Sequence, residues 1–270
     1  MAELTHRDEE STFEDIRLHS SDIQVRQITL KDLVQSLREG YEDYNAKPSS
    51  VPLLFLFYSL FALVFTLFAF GQDLRYLLFP VAAGFTLIGP IVAIAFFAMS
   101  RRRELGQELR WSSAFNFIHT SSFAPILALT LLMTLLYLSW LFMAELIFFS
   151  LFESTMPESM SDFINQLFNT RHGGALIAYG NFVGLLFAFA AIALSIVAFP
   201  LTLDKPVTSF TAVSVSIRAF MSNTLVLTVW GVIVVAFMTL GAAVFLIGLA
   251  VTLPVLGHAT WHLYRKLIAA

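Results

Sequence analysis

Nearly unbroken apolar stretches alternate with short polar connections along the chain: 52–70, 76–99, 122–149, 175–199 and 223–264. Runs of this length, rather than short alternating segments, predict membrane-crossing helices, because about 20 helical residues cover a hydrocarbon core about 30 Å thick. The last stretch is too long for one crossing, since a helix over 223–264 would measure about 63 Å at about 1.5 Å per residue. It predicts two spans, 223–242 and 246–264, joined by a hairpin within Thr239–Gly248, where Gly241 and Gly248 permit a turn. The expected fold is all-α: a polytopic transmembrane helical bundle of six spans over 48–270.

Ahead of the spans the pattern changes twice. Residues 1–27 are polar, with Glu9, Glu10, Glu14, Asp15 and Asp22, which predicts a disordered tail. Over 28–47, Leu30, Leu33, Val34, Leu37, Tyr41 and Tyr44 recur at helical spacing, while Lys31, Asp32, Arg38, Glu39, Glu42 and Asp43 take the other face. This predicts an amphipathic helix, N-capped by Thr29 and stopped by Asn45 and Pro48, lying on the membrane surface or packed on the protein's own loops. Shorter amphipathic stretches are expected in two connections, one carrying Trp111, Phe115 and Ile118, the other Phe210, Val213 and Ile217.

Composition narrows the class. Apolar residues make up 57% of the 270 residues and charged residues 13%, with 28 Phe and a mean hydropathy of +0.76. Soluble domains carry about 25% charged residues, so a membrane is the solvent this chain fits. Cysteine is absent, which excludes disulfides, thiolate catalysis and zinc–thiolate sites from this chain's own side chains. A net charge of -3 gives no reason to expect a nucleic-acid partner.

Charge distribution orients the bundle, because cytoplasmic segments carry the excess of Lys and Arg. With six spans, fourteen of the 16 basic residues fall on the side of the tail, among them Arg101, Arg102, Arg103, Arg110, Lys205, Arg218, Arg265 and Lys266; only Arg75 and Arg171 lie opposite. Five spans would give twelve against four. Both termini are therefore expected in the cytoplasm.

Candidate chemistry is sparse. His258 and His262 share a helical face at i, i+4 spacing, as a metal site would need, yet they stand beside Trp261, Tyr264, Arg265 and Lys266, an aromatic and basic group of the kind that anchors helix ends at a membrane boundary. Glu145 is the one carboxylate inside a predicted span, and Asn181 lies at similar depth, so the pair forms a polar or solute-site candidate. Arg101, Arg102, Arg103, Trp111, Trp261, Arg265 and Lys266 are the expected membrane-surface or lipid contacts. Gly180 and Gly184 have the spacing of a close helix contact. Phosphate loops, zinc-protease motifs and nucleophile elbows are missing, so no catalytic residue, resident metal or cofactor is assigned.

The Gly84-Phe85-Thr86-Leu87-Ile88-Gly89-Pro90 motif, the Ser100-Arg101-Arg102-Arg103-Glu104-Leu105-Gly106 boundary with Trp111 after it, and the closing Gly257-His258-Ala259-Thr260-Trp261-His262-Leu263-Tyr264-Arg265 resemble the DUF2189 family. That resemblance implies a bacterial inner-membrane protein with no assigned activity. A haem–copper oxidase label attached to some relatives does not suit this chain, whose six His leave only His258 and His262 on a span. The expected role is non-catalytic: organising or regulating membrane partners or lipids, with the bilayer and a membrane-protein partner or second copy as contacts. A small-solute transporter or channel is the alternative.

Overall fold

A computed structural model describes residues 20–46, 77–84, 87, 89–109, 116–152, 159–243 and 248–269. The tail up to residue 19, the first predicted span at 52–70 and Trp111 lie outside the described residues.

Among the described residues the fold is helical throughout. In chain order the helices are α1 (Leu30–Ala46), α2 (Leu78–Gly84), α3 (Gly89–Glu104), α4 (Phe123–Phe152), α5 (Met160–Asn169), α6 (Arg171–Ser195), α7 (Ala198–Asp204), α8 (Ser209–Ser222), α9 (Thr224–Ala243) and α10 (Leu249–Leu267). Among the described residues, four stretches are long and apolar enough to cross a membrane: Phe79–Glu104, Phe123–Phe152, Arg171–Asp204 and Thr224–Ala243. The chain is thus an integral membrane protein with several apolar crossing helices. α10 is not among the four because its second half carries His258, His262, Arg265 and Lys266.

Local chemistry explains where the helices begin. Thr29 caps α1 with Asp32, whose carboxylate accepts both the Thr29 backbone N–H and its hydroxyl at 2.7 Å. Ser159, Thr170 and Thr208 cap α5, α6 and α8 in the opposite sense, each hydroxyl accepting a backbone N–H three residues on. Pro90 and Pro125 fall in the first turns of α3 and α4, where a missing N–H costs nothing.

Side-chain burial divides the molecule into two halves. At one end, α1, α3, α7, α8 and α10 share a continuous core that includes Leu33, Phe97, Phe199, Val215, Trp261 and Leu267. Towards the other end, α4, α6 and α9 turn Leu131, Leu135, Phe142, Phe182, Leu186 and Val232 outward. Outward-facing Leu, Phe and Val on long helices are what a hydrocarbon solvent permits and water does not.

Two close approaches set the arrangement around α10. Gly241 of α9 and Gly248 before α10 are in direct backbone contact, so the long apolar stretch is folded back on itself. Farther along, α1 runs antiparallel to α10 and presents Gly40 to Ala259; a Cβ at Gly40 would lie 2.5 Å from the Ala259 backbone nitrogen. The buried face of α1 is Leu33, Ser36, Gly40, Asp43 and Tyr44. This differs from the apolar face expected from residue type: Leu30, Val34 and Tyr41 are exposed, while Asp43, assigned to the polar face, is buried. A stripe of small residues lets the helices touch, and α10 supplies partners for the carboxylate.

The two ends of the described chain also meet. Val25 pairs with Ile268 in an isolated antiparallel bridge, the Arg26 N–H donates to the Leu267 carbonyl at 2.8 Å, and the Ala269 N–H donates to the Gln24 carbonyl at 3.1 Å. Asn223, between α8 and α9, fastens this segment by accepting the Ile28 N–H at 2.8 Å and donating to the Arg26 carbonyl at 3.0 Å.

Candidate functional site

The closing turns of α10 place His258, Trp261, His262, Tyr264, Arg265 and Lys266 against α1, α3 and α7. Helical spacing sorts them onto two faces. His258, His262 and Lys266 meet Glu39 and Asp43, themselves one turn apart on α1; Trp261, Tyr264 and Arg265 meet Glu104 at the end of α3 and Asp204 at the end of α7.

Asp43 is the centre of the first group and is 5% exposed. One of its oxygens accepts a short hydrogen bond from the Ser100 hydroxyl and a bond from His262 Nε2 at 2.9 Å; the other is paired with Arg103. His258 Nδ1 lies 2.8 Å from Ser100 Oγ and 3.8 Å from the carboxylate. Because Ser100 gives its single proton to Asp43, the network assigns the Nδ1 proton to His258, which donates to Ser100. Burial pushes the Asp43 carboxyl up, but the hydrogen bonds from His262, Ser100 and Arg103, with the charge of His262, outweigh it and hold the carboxyl below the ordinary range. Lys266 Nζ pairs with Glu39 at 2.5 Å, and His262 Nδ1 stands 3.6 Å from the same carboxylate.

In the second group, Arg265 bridges two carboxylates, reaching Glu104 through Nε and Nη2 at 3.0 and 2.9 Å and Asp204 through Nη1 at 2.8 Å. Tyr264 donates to Asp204 at 2.7 Å and Trp261 Nε1 to Glu104 at 2.9 Å. The guanidinium also sits 5.0 Å from the Trp261 ring centre, a cation–π contact. Arg101 completes the group 3.6 Å from Asp204.

Chemically, this is a charge-compensated polar knot at one end of the bundle. Ser, His and Asp occur together, but not as a nucleophilic triad. Ser100 is 1% exposed and hands its proton to a carboxylate instead of an imidazole base. Among the described residues no three His, Asp or Glu side chains converge as metal ligands. His258 and His262 do share a face as expected, and each spends a ring nitrogen on the network around Asp43.

The expected surface contacts that the structure describes are engaged within the protein. Trp261 is fully buried, so it packs and donates to Glu104 instead of presenting its ring to lipid. Arg101, Arg103, Arg265 and Lys266 are committed to ion pairs, and Arg102 donates to the Glu108 carbonyl at 3.1 Å. Glu145 is half-buried on α4, whereas Asn181 is exposed on α6 with its amide donating to Ile177 of its own helix at 2.7 Å. Gly184 meets Trp140, but Gly180 faces open space.

A second feature lies beside the knot. Between α3, α6, α9 and α10 is a cavity of about 420 Å³, lined by residues such as Phe97, Phe189, Ile192, Trp230, Val234 and Leu256. Three hydroxyls reach its wall, and each donates to a carbonyl one turn back on its own helix: Ser195 to Ala191 at 2.6 Å, Thr228 to Thr224 at 2.7 Å and Thr260 to Leu256 at 2.7 Å.

Asp43, Ser100 and Asp204 were missed in the sequence reading. For Asp43 the signal was the acidic pair Glu39 and Asp43 at the same i, i+4 spacing as His258 and His262, with the small residues Ser36 and Gly40 beside it. No curated protein and no solved structure matches the chain. Residues 78–204, from α2 to the end of α7, match the family model described as "Predicted integral membrane protein (DUF2189)".

Proposed function

We propose that this chain is a non-catalytic protein of the bacterial inner membrane that organises or regulates membrane partners or lipids. The observation that carries the reading is how the polar side chains are used. Those in the knot neutralise one another, and the hydroxyls of the cavity wall are spent on backbone carbonyls, which leaves the cavity with an apolar lining. An ion or polar solute crossing hydrocarbon needs replacement partners for its lost hydration, and such a lining supplies few, the lone pairs of three hydroxyl oxygens.

The contact between the two ends of the described chain bears on topology. Segments 24–26 and 267–269 are hydrogen-bonded to each other, which supports placing them on one face of the membrane with an even number of crossings between them. This supports six crossings over five, counting 52–70 and the return of α10 with the four apolar stretches. The basic residues of the knot, with Lys205 and Arg218 nearby, support placing that face in the cytoplasm. Reporter tags before Met1 and after Ala270 will report the same side; opposite sides would refute six.

Reconstitution into proteoliposomes separates this reading from a small-solute carrier. No protein-dependent flux is expected over a broad solute panel. Flux of any solute that drops with Glu145→Ala would replace the reading with transport.

A further inference from the structure

We propose that the cavity between α3, α6, α9 and α10 is a binding slot for one acyl chain of a bilayer phospholipid. The inference deepens the lipid side of the function proposed above and rests on it.

Shape points first to a chain. Along α6 the lining runs from Leu185 to Ile196, about 16 Å at about 1.5 Å per residue. One leaflet contributes about 15 Å of hydrocarbon, half of a core about 30 Å thick. The slot starts beside the knot, at Thr260, Thr228 and Ser195, and extends away from it toward Pro90, Met238 and Leu253. Its depth and position therefore match the hydrocarbon of the leaflet on the knot side. Its volume of about 420 Å³ falls within the range of about 300–1,000 Å³ typical of ligand sites.

Chemistry points the same way. With the three wall hydroxyls already donating along their own helices, only their oxygen lone pairs are left to accept, so a polar ligand would lose most of its hydrogen bonds on entry, whereas a methylene chain loses none. Access is from the bilayer itself. Leu185, Val232 and Val235 line the slot and are 51%, 64% and 53% exposed, so its mouth between α6 and α9 is continuous with the outward apolar surface of those helices. A chain of the surrounding lipid reaches the slot without leaving hydrocarbon.

The test uses the full-length protein in proteoliposomes containing a phospholipid with a photoreactive diazirine in one acyl chain. After irradiation, adducts are mapped by peptide mass spectrometry. We expect them on the α6 and α9 segments around Ala188 and Gly231, saturating at low probe fraction, while adducts at Leu131 and Leu135 of α4 rise in proportion to probe. Ala188→Phe, which fills the slot, should lower α6 and α9 adducts by about tenfold or more and leave those on α4 unchanged. If that variant does not fold, native mass spectrometry of the wild type in detergent decides: one retained phospholipid per chain supports the slot, and none overturns it.

Equal, non-saturating labelling of α4, α6 and α9 would overturn the proposal. So would competition by an isoprenoid tail but not by phospholipid, or a cross-link from a photoreactive residue at Val232 to the 52–70 segment. Absent adducts together with absent solute flux would remove the slot and leave the proposed function standing; flux would remove the function whatever the adducts show.

Discussion

Replacing Asp43 by alanine removes the acceptor shared by Ser100, His262 and Arg103. Breaking a buried ion pair by deleting one partner costs about 3–5 kcal/mol, since the remaining charge stays desolvated. Here the upper end is too high, because the Arg103 side chain is 41% exposed and can rehydrate, whereas Ser100 and most of His262 cannot. We expect a loss of about 3 kcal/mol, equivalent to about 6–12 °C in apparent Tm for a chain of this size. Heating detergent-solubilised protein while following tryptophan fluorescence reads this directly, with Trp230 and Trp261 both buried and a fixed scan rate because such unfolding is commonly irreversible. Arg38→Ala is the control, since its ion pair with Glu42 is 82% and 52% exposed and should shift Tm by only about 1 °C. His262→Ala combined with Asp43→Ala should cost less than the sum of the two, the signature of a shared network. An Asp43→Ala shift no larger than that of Arg38→Ala would refute the reasoning.

Further tests follow from the same contacts. Because the folded-state pKa of Asp43 is depressed, its stabilisation is complete above the unfolded value near about 3.9 and is lost as pH falls through the folded one. Apparent Tm of the wild type should thus be insensitive to Asp43 between about pH 5 and 8 and fall more steeply below about pH 4 than that of Asp43→Asn; parallel acid limbs would contradict this. Gly40→Ala, whose Cβ would meet backbone atoms of Ala259, should cost about 1–3 kcal/mol and open α1 to limited proteolysis, while Gly174→Ala, with nothing within 4 Å, should be neutral or slightly stabilising. Asn223→Ala leaves the Ile28 N–H without its side-chain acceptor, costing about 1–3 kcal/mol, and hydrogen exchange at Ile28 should quicken.

The membrane class and most helices were legible because hydrocarbon imposes long apolar runs that few other structures need. The break near Gly241 and Gly248 was legible from length alone. The knot was much less so. Residue type places Asp43 on a solvated face, and only the approach of α10, made close by Gly40, turns that face inward. Trp261 misled for a related reason: an aromatic beside Arg265 and Lys266 has the composition of a membrane-boundary belt, but Glu104 and Arg265 fold over it from inside. Periodicity reports which residues share a face, and it does not say which partner that face will meet. The amphipathic helix α5 fell in a connection read simply as polar, although Phe163 packs beneath it against Phe148 and Phe152.

The contact between Asp43 and His262 joins residues 219 positions apart, which fixes an order of events during synthesis. At about 5–20 residues per second, α1 leaves the ribosome about 10–45 s before its seat on α10 exists. Throughout that interval the carboxylate is hydrated and the helix lacks its partner, so α1 is made early and seated late. A chain interrupted before His258 can insert its apolar helices and still leave α1 undocked. That exposed N-terminal helix is a mark by which quality-control proteases could tell an unfinished molecule from a complete one.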